Sequence, residues 1–242
     1  MNLATTQTPA FRINPELDLA AARADFLHDG HVRIERFLAG GAPEFFQHLS
    51  DKEDWIQLVN HESGVHEVAW TDWIAKGSKL RAKIEPVMFE RACDGFQYSY
   101  SALRIPNSGE DYVDPWLGEL ARFMHSPAIT DLLGAATGTA MPRFTDGQVT
   151  AYGSGDFLTG HDDDLAGSSR NAAFVLGLTP QWRTEWGGLL LFHEPGQVGL
   201  SGIIPQFNTL NLFKVPKYHS VTMVTPAAPR RRFAVTGWLS TK

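Results

Sequence analysis

From Gln148 to Ser240 the chain is a series of short apolar or alternating runs, each closed by glycine or proline, and this pattern restricts its fold more than any other feature. The segments are "QVTAYGSG", "NAAFVLGLTP", "GGLLLFHEPG", "VGLSGIIP", "NTLNLFKVP", "HSVTMVTP" and "RRRFAVTGWLS". Seven candidate strands with turn residues between them predict an antiparallel sandwich or jelly roll.

The preceding half has another character. "INPELDLAAARADFLHDG" offers Asn14 as an N-cap, Pro15 at the first helical position and Gly30 as a stop. "HVRIERFL" alternates Val32, Ile34 and the end Phe37-Leu38 as a strand, and a helix is expected near "APEFFQHL". "SKLRAKIEPVMFERACD" predicts a helix interrupted or bent near Pro86, and "GFQYSYSALRIP" a strand with Phe96, Tyr98 and Tyr100 on one side, closed by Pro106. "DPWLGELARFMHS" and "PAITDLLGAATG" predict two further helices. The segment from Trp55 to Lys76 lacks clean periodicity and is expected to be loop and short strands; its aromatic part, Trp55 to Trp73, is a candidate lid. Together these elements predict one α+β domain over residues 1–242, with 1–140 a helix-rich support and 141–242 the strand-rich core, the helices packed on one face of the sheet.

Composition narrows the chemistry. With 43% hydrophobic and 20% charged residues the chain has the make-up of a folded protein rather than a disordered one. The single cysteine, Cys93, cannot form an intramolecular disulfide or a thiolate cluster, so a bound metal must take nitrogen and oxygen ligands. No apolar run has the length of a bilayer span, and "MNLATTQTPAF" lacks the basic-then-apolar order of a leader, so the expected location is cytoplasmic. The net charge is −6, yet no Asp or Glu follows Glu194 while Lys214, Lys217, Arg230, Arg231, Arg232 and Lys242 do. Most of these charges are explained as guards of strand edges; a small-anion site or a basic rim is the sharper alternative. No nucleic-acid-binding motif is present in the sequence.

Within "TGHDDDLAGSSR", His161 precedes Asp162, Asp163 and Asp164. In an extended segment residues i and i+2 point the same way, so His161 and Asp163 can share an ion while Asp162 and Asp164 face away, Asp164 being placed to pair with a base or cap the next turn. A third ligand is needed, and His193 and His219 are the candidates. Two histidines and one carboxylate on one face of an octahedral ion leave three positions open, as in non-haem Fe(II) oxygenases. A dianionic cosubstrate there would need a cation at its far end, which suits arginine. Alternation along "RRRFAVTGW" puts Arg232, Ala234, Thr236 and Trp238 on one face and Phe233, Val235 and Leu239 on the other, with Arg230 and Arg231 left as a solvated turn.

With these residues in place, the sequence resembles the 2-oxoglutarate and Fe(II)-dependent dioxygenases of the prolyl hydroxylase superfamily: His161-x-Asp163, then His219, then Arg232 on "RFAVTGW". "AYGSGDFLTGHDDDLAGSSRNAAFVLGLTPQWRTEWGGLLLF" is similar to the branch that hydroxylates a prolyl residue of a small-subunit ribosomal protein, in which a tyrosine precedes the metal histidine by nine residues, as Tyr152 does here. The resemblance implies a double-stranded β-helix (jelly roll) in its single-domain form. It implies Fe(II) held by His161, Asp163 and His219, 2-oxoglutarate paired with Arg232 and hydrogen-bonded by Tyr152 and Thr236, O2 as cosubstrate, and ascorbate as an auxiliary reductant. Where other prolyl hydroxylases place a tyrosine on the strand after the metal motif, this sequence has Leu176-Gly177.

The expected substrate is a protein, ribosomal or a translation factor, with a hydroxylatable C–H bond; a free amino acid or other small molecule is the alternative. A non-enzymatic jelly roll whose "HDDD" loop binds Ca²⁺ or a sugar is a third reading, but calcium takes six to eight oxygens and would leave His219 and Arg232 without purpose. Tyr98, Tyr100 and Trp186 are candidates for the cavity mouth, though alternating aromatics on a strand are more often core. His61, His66 and His125 are expected to be structural.

Overall fold

The computed structural model describes residues 11–241 apart from 63, 108–111, 165, 166, 168 and 195, so Lys242 and most of "MNLATTQTPAF" lie outside the described residues. The elements in chain order begin with β1 (Arg12–Ile13), α1 (Leu19–Asp29), β2 (His31–Ile34), β3 (Leu38–Gly40) and α2 (Ala42–Asp51). Next come β4 (Ile56–His61), β5 (Gly64–Ala69), α3 (Trp70–Ile74), α4 (Lys79–Ala92), β6 (Tyr98–Arg104), α5 (Pro115–Met124) and α6 (Pro127–Thr137). The second half holds β7 (Arg143–Tyr152), β8 (Phe157–His161), β9 (Arg170–Gly177), β10 (Leu190–His193), β11 (Leu200–Ile203), β12 (Thr209–Lys214), β13 (His219–Val221) and β14 (Arg232–Ser240).

Except for the small β1–β3 pair, the strands join one antiparallel sheet in the order β11-β10-β13-β8-β6-β7-β14-β9-β12-β2, with the β4–β5 hairpin attached through β6. The sheet curls so that β14, β7 and β9 face β8, β13 and β10 across a cavity, which is the expected jelly-roll architecture. Each predicted strand segment of the second half is present.

Alternation sorts the side chains of β14. Phe233, Val235 and Leu239 enter the large core that α1, α2, α5 and α6 cover, together with Phe26, Phe45, Leu49, Leu120 and Leu133. Arg232, Thr236 and Trp238 face the cavity instead. Phe45 and Leu49 on α2 are 0% exposed, and burial of such a side chain contributes roughly 1.5–3 kcal/mol. Helices α3 and α4 cover a separate patch over the hairpin and β8, built on Val59, Val68, Trp73, Ile84, Met88 and Phe157.

Several local expectations change. The first helix begins at Leu19, capped by Asp18, because Asn14 is used in a turn: its side chain accepts from the Glu16 amide and donates to the Arg36 carbonyl. The "HVRIERFL" strand breaks at Arg36, whose φ of 52° turns the chain between β2 and β3. Helix α4 runs continuously through Pro86. Trp55 to Lys76 is not a lid-like loop: it forms β4, β5 and α3, with Trp55, Gln57 and Val59 fully buried, and among the described residues none that lines the cavity comes from it. The strand β8, which carries His161, has no recognised counterpart among the seven sequence segments because Gly155 and Gly160 interrupt its apolar pattern.

Candidate metal centre

Two neighbouring strands bring the histidines together. β8 ends at His161, β13 begins at His219, and the two residues are direct register partners with ring centroids 4.1 Å apart. Asp163 lies past the end of β8 with φ of 62°, a left-handed conformation that aspartate tolerates better than most residues. Its carboxylate faces both rings, Oδ1 lying 3.3 Å from His161 Nε2 and Oδ2 3.5 Å from His219 Nε2. One ligand atom from each residue can be chosen so that all lie within 4.8 Å of one another. Strand alternation singled out the same aspartate that faces both histidines, but a left-handed turn at Asp163, and not an extended strand, presents it.

The tautomers suit a metal. His161 Nδ1 lies 3.1 Å from the Thr159 carbonyl and His219 Nδ1 2.8 Å from that of Lys217, so each Nδ1–H donates to backbone and each Nε2 lone pair is turned to the centre. Burial, reinforced by the charge of His161, pushes His219 down to about 4, which keeps it a neutral ligand at physiological pH. Burial raises the Asp163 carboxyl, but protonated His161 and His219 beside it would outweigh burial and hold the group below its ordinary value, so the carboxylate and the imidazoles favour one another's charged forms until a cation takes the protons' place. A donor set of two imidazoles and one carboxylate, without sulfur, fits Fe(II) with open positions and is too poor in oxygen for Ca²⁺.

Across a cavity of about 480 Å³ lies the cation. Arg232 is 5% exposed, its Nε has no hydrogen-bond partner among the described residues, and burial lowers its pKa, so an anion brought into the cavity would compensate a desolvated charge. Tyr152 is its register partner on β7, with the guanidinium carbon 5.2 Å from the ring centroid. Thr236 lines the same cavity and is paired with Gln148. At Gly188 (φ 64°) a β-carbon would lie 3.2 Å from Arg232 Cδ, so the second glycine of the "GG" pair leaves room for the arginine stem.

Other sequence candidates fall elsewhere. His193 is one residue out of phase with Phe192, the register partner of His219; it points outward to the Ser220 hydroxyl at 3.0 Å. Asp162, not Asp164, makes the turn-capping bond, accepting from the Asp164 amide at 3.1 Å. Arg230 is exposed as expected, but Arg231 is not solvated: it packs over Trp55, Trp70 and Phe233, with Nη1 buried and burial pushing its pKa down to about 10. Trp186 packs edge-on against Trp182 and does not line the cavity. Leu176 belongs to the helix-covered core, and a β-carbon at Gly177 would strike the Gln206 carbonyl. His61 and His66 pack against each other, and His125 against Phe144.

Tyr98 and Tyr100, weighed in the sequence as core aromatics, line the cavity. Gln148, Thr150, Arg170 and Trp238 line it too and escaped notice as site residues. The first two had a readable signal, since Gln148, Thr150 and Tyr152 stand at every second position of one strand. Arg170, stacked 3.9 Å from the Trp238 ring centroid and bonded to Asp146 at 2.8 Å, had none.

Residues 147–240 match the model of the 2OG-Fe(II) oxygenase superfamily. A curated relative, prolyl 3-hydroxylase OGFOD1 of Xenopus laevis, is 32% identical over 114 residues, 44% of this chain. The matched stretch is 22% of that relative, so the chain spans only about a fifth of its length. Among solved structures, a 2OG-Fe(II) oxygenase family oxidoreductase from Burkholderia pseudomallei aligns with a TM-score of 0.62 at 15% identity, covering 95% of this chain and 93% of that one. A Trichoplax adhaerens prolyl hydroxylase, in complex with a hypoxia-inducible-factor peptide fragment, aligns at 0.60 and 17% identity, covering 92% and 88%. These likenesses extend the shared fold over nearly the whole chain, and the matched segment holds every residue of the histidine–aspartate–arginine constellation. Residues 147–240 are thus similar to the 2OG-Fe(II) oxygenase superfamily, and the chain shares the double-stranded β-helix fold of these solved structures.

Proposed function

We propose that this protein is an Fe(II)- and 2-oxoglutarate-dependent dioxygenase that hydroxylates a prolyl residue of a protein. The observation that carries the reading is the opposition, within one cavity, of the His161–Asp163–His219 cluster and a buried arginine whose Nε has no partner among the described residues. In this reading His161, Asp163 and His219 hold the iron, and Arg232 receives the distal carboxylate of 2-oxoglutarate as a charge-assisted pair. Bound iron with this cosubstrate and O2 supplies the oxidising power for C–H hydroxylation, with succinate and carbon dioxide as by-products. The chain's own part is geometric. The backbone carbonyls of Thr159 and Lys217 fix the imidazole tautomers, Asp163 supplies the compensating negative charge, and Tyr152 flanks the arginine. The likeness to prolyl 3-hydroxylase OGFOD1 supports a prolyl substrate in a protein.

The test is anaerobic loading with Fe(II), then oxygen with 2-oxoglutarate and candidate ribosomal or translation-factor peptides, comparing wild type with His161→Ala and Arg232→Ala. Succinate that depends on iron and on both residues, with one oxygen added to a peptide proline, is the expected result. Iron-dependent succinate released only with a small metabolite would replace the protein substrate; no such succinate under any condition would sink the enzyme reading.

A further inference from the structure

The inner face of β6, β7 and β14 forms a grid. Arg232 on β14 pairs with Tyr152 on β7, whose ring stacks on Tyr100 of β6 at 5.0 Å and 20°. Two residues along, Ala234 pairs with Thr150, and Thr236 then pairs with Gln148. The Tyr100 side chain crosses this grid, because its hydroxyl lies 3.0 Å from Gln148 Nε2.

The polarity of that bond matters. The Gln148 amide is the donor, so the phenol oxygen is the acceptor and its own hydrogen is not used in the contact. Among the described residues the Tyr100 hydroxyl has no second hydrogen-bond partner. It borders the cavity that also holds Arg232, Thr150, Thr236 and the metal-site cluster. A hydroxyl with a spare hydrogen facing a cavity favours an acceptor, and the most demanding one is a carboxylate oxygen.

We propose that Tyr100, oriented by Gln148, is a binding residue that donates a hydrogen bond to a carboxylate of 2-oxoglutarate. The inference rests on the cosubstrate reading above and adds to it a donor from a strand outside the 147–240 segment. Burial pushes the Tyr100 phenol up to about 12, so it stays protonated across the physiological range. Tyr100 is therefore a donor wherever the enzyme works, and the stack with Tyr152 holds its ring in place.

The test uses the Mn(II)-loaded protein, which reports binding without turnover. 2-Oxoglutarate and Mn(II) dissociation constants are measured by calorimetry for wild type, Tyr100→Phe and Gln148→Leu, with melting curves alongside. Tyr100→Phe keeps the stacking ring and removes only the donor. Loss of a hydrogen bond to a charged group predicts 2-oxoglutarate binding weaker by about tenfold or more, with Mn(II) affinity unchanged. Gln148→Leu leaves the phenol unoriented and should weaken 2-oxoglutarate by a smaller factor, again without moving Mn(II); it carries the test by itself if Tyr100→Phe fails to fold. Unchanged 2-oxoglutarate affinity in the folded variants, or parallel loss of Mn(II), overturns the inference. A wild type that binds Mn(II) but not 2-oxoglutarate fails at the earlier step and sinks the cosubstrate reading itself.

Discussion

Replacing Arg232 with methionine should move two measurable quantities in opposite directions. Arg232 is 5% exposed and its Nε lacks a partner among the described residues, so without a bound anion the fold carries the desolvation cost of a charge. Methionine has a similar length and no charge. Exchanging buried ionic groups for apolar ones of similar volume is often neutral or stabilising by about 1–4 kcal/mol. At about 2–4 °C per kcal/mol for a chain of this size, the ligand-free variant should melt as high as wild type or several degrees higher. For 2-oxoglutarate the sign reverses. Truncating one partner of a buried charge pair costs roughly 2–5 kcal/mol, which corresponds to about 30-fold to several thousand-fold weaker binding at 1.4 kcal/mol per decade. Calorimetric titration of the Mn(II)-loaded variant, with melting curves of the ligand-free form, reads both. A variant that binds 2-oxoglutarate within threefold of wild type would refute the assignment of Arg232 as the carboxylate partner. One that binds poorly but melts far below wild type would show instead that the charge is satisfied within the fold.

Three further outcomes are expected. Asp163→Ala should abolish Co(II) or Fe(II) binding, read by absorption spectroscopy, whereas Asp162→Ala should change metal affinity only a few-fold because its carboxylate caps a turn; the reverse order would mean that the wrong aspartate is assigned. Asp156 is pushed up to about 7 by burial, which outweighs the bonds from Gly153, Gln57 and Ser99. The folded state therefore binds this proton more tightly than the unfolded chain, so stability is greatest below about pH 4 for this group and is lost as pH rises to about 7, by up to about 4 kcal/mol. Asp156→Asn should flatten that part of the melting-temperature profile, and an unchanged slope would contradict the burial argument. Arg231→Ala should cost about 1–2 kcal/mol through lost cation–π and stem packing against Trp55 and Trp70, while Arg230→Ala should be near neutral, as denaturant titration would report.

How far the sequence carries depends on whether the relevant physics is local. The alternation of β14 is a property of the backbone, and it sorted Arg232, Thr236 and Trp238 from Phe233, Val235 and Leu239 before any tertiary information. Helix signals of the same local kind placed α5 and α6, where Asp114 and Ser126 cap and proline opens the first turn. Local rules failed where distant atoms compete. Asn14 has a good N-cap side chain, yet the Arg36 carbonyl and Glu16 amide take it, and the helix starts later. Trp55 to Lys76 is expected to be loop and short strands; the strands are present, but the lid reading of its aromatics fails because these serve separate surfaces: Trp55 packs on Phe233 and Trp73 in the patch under α4.

The candidate site divides in the same way. His161, Asp163 and Arg232, with His193 or His219 as the third ligand, could be named as candidates from residue type, spacing and strand period, because the chemistry of the metal and of a dianion restricts which side chains serve. The choice of His219 over His193, however, is a matter of pairing between β10, β13 and β8, and a one-residue change in phase sends His193 to the opposite face. Asp163 reaches the histidines through a left-handed turn that no periodicity encodes, and Tyr100 meets Gln148 across 48 residues of chain. Sequence by itself determined the fold class and the short set of candidate site residues, since both follow from side-chain chemistry and backbone period. Only the curled sheet decided which groups share the cavity, because that depends on register and curvature summed over strands far apart in the chain.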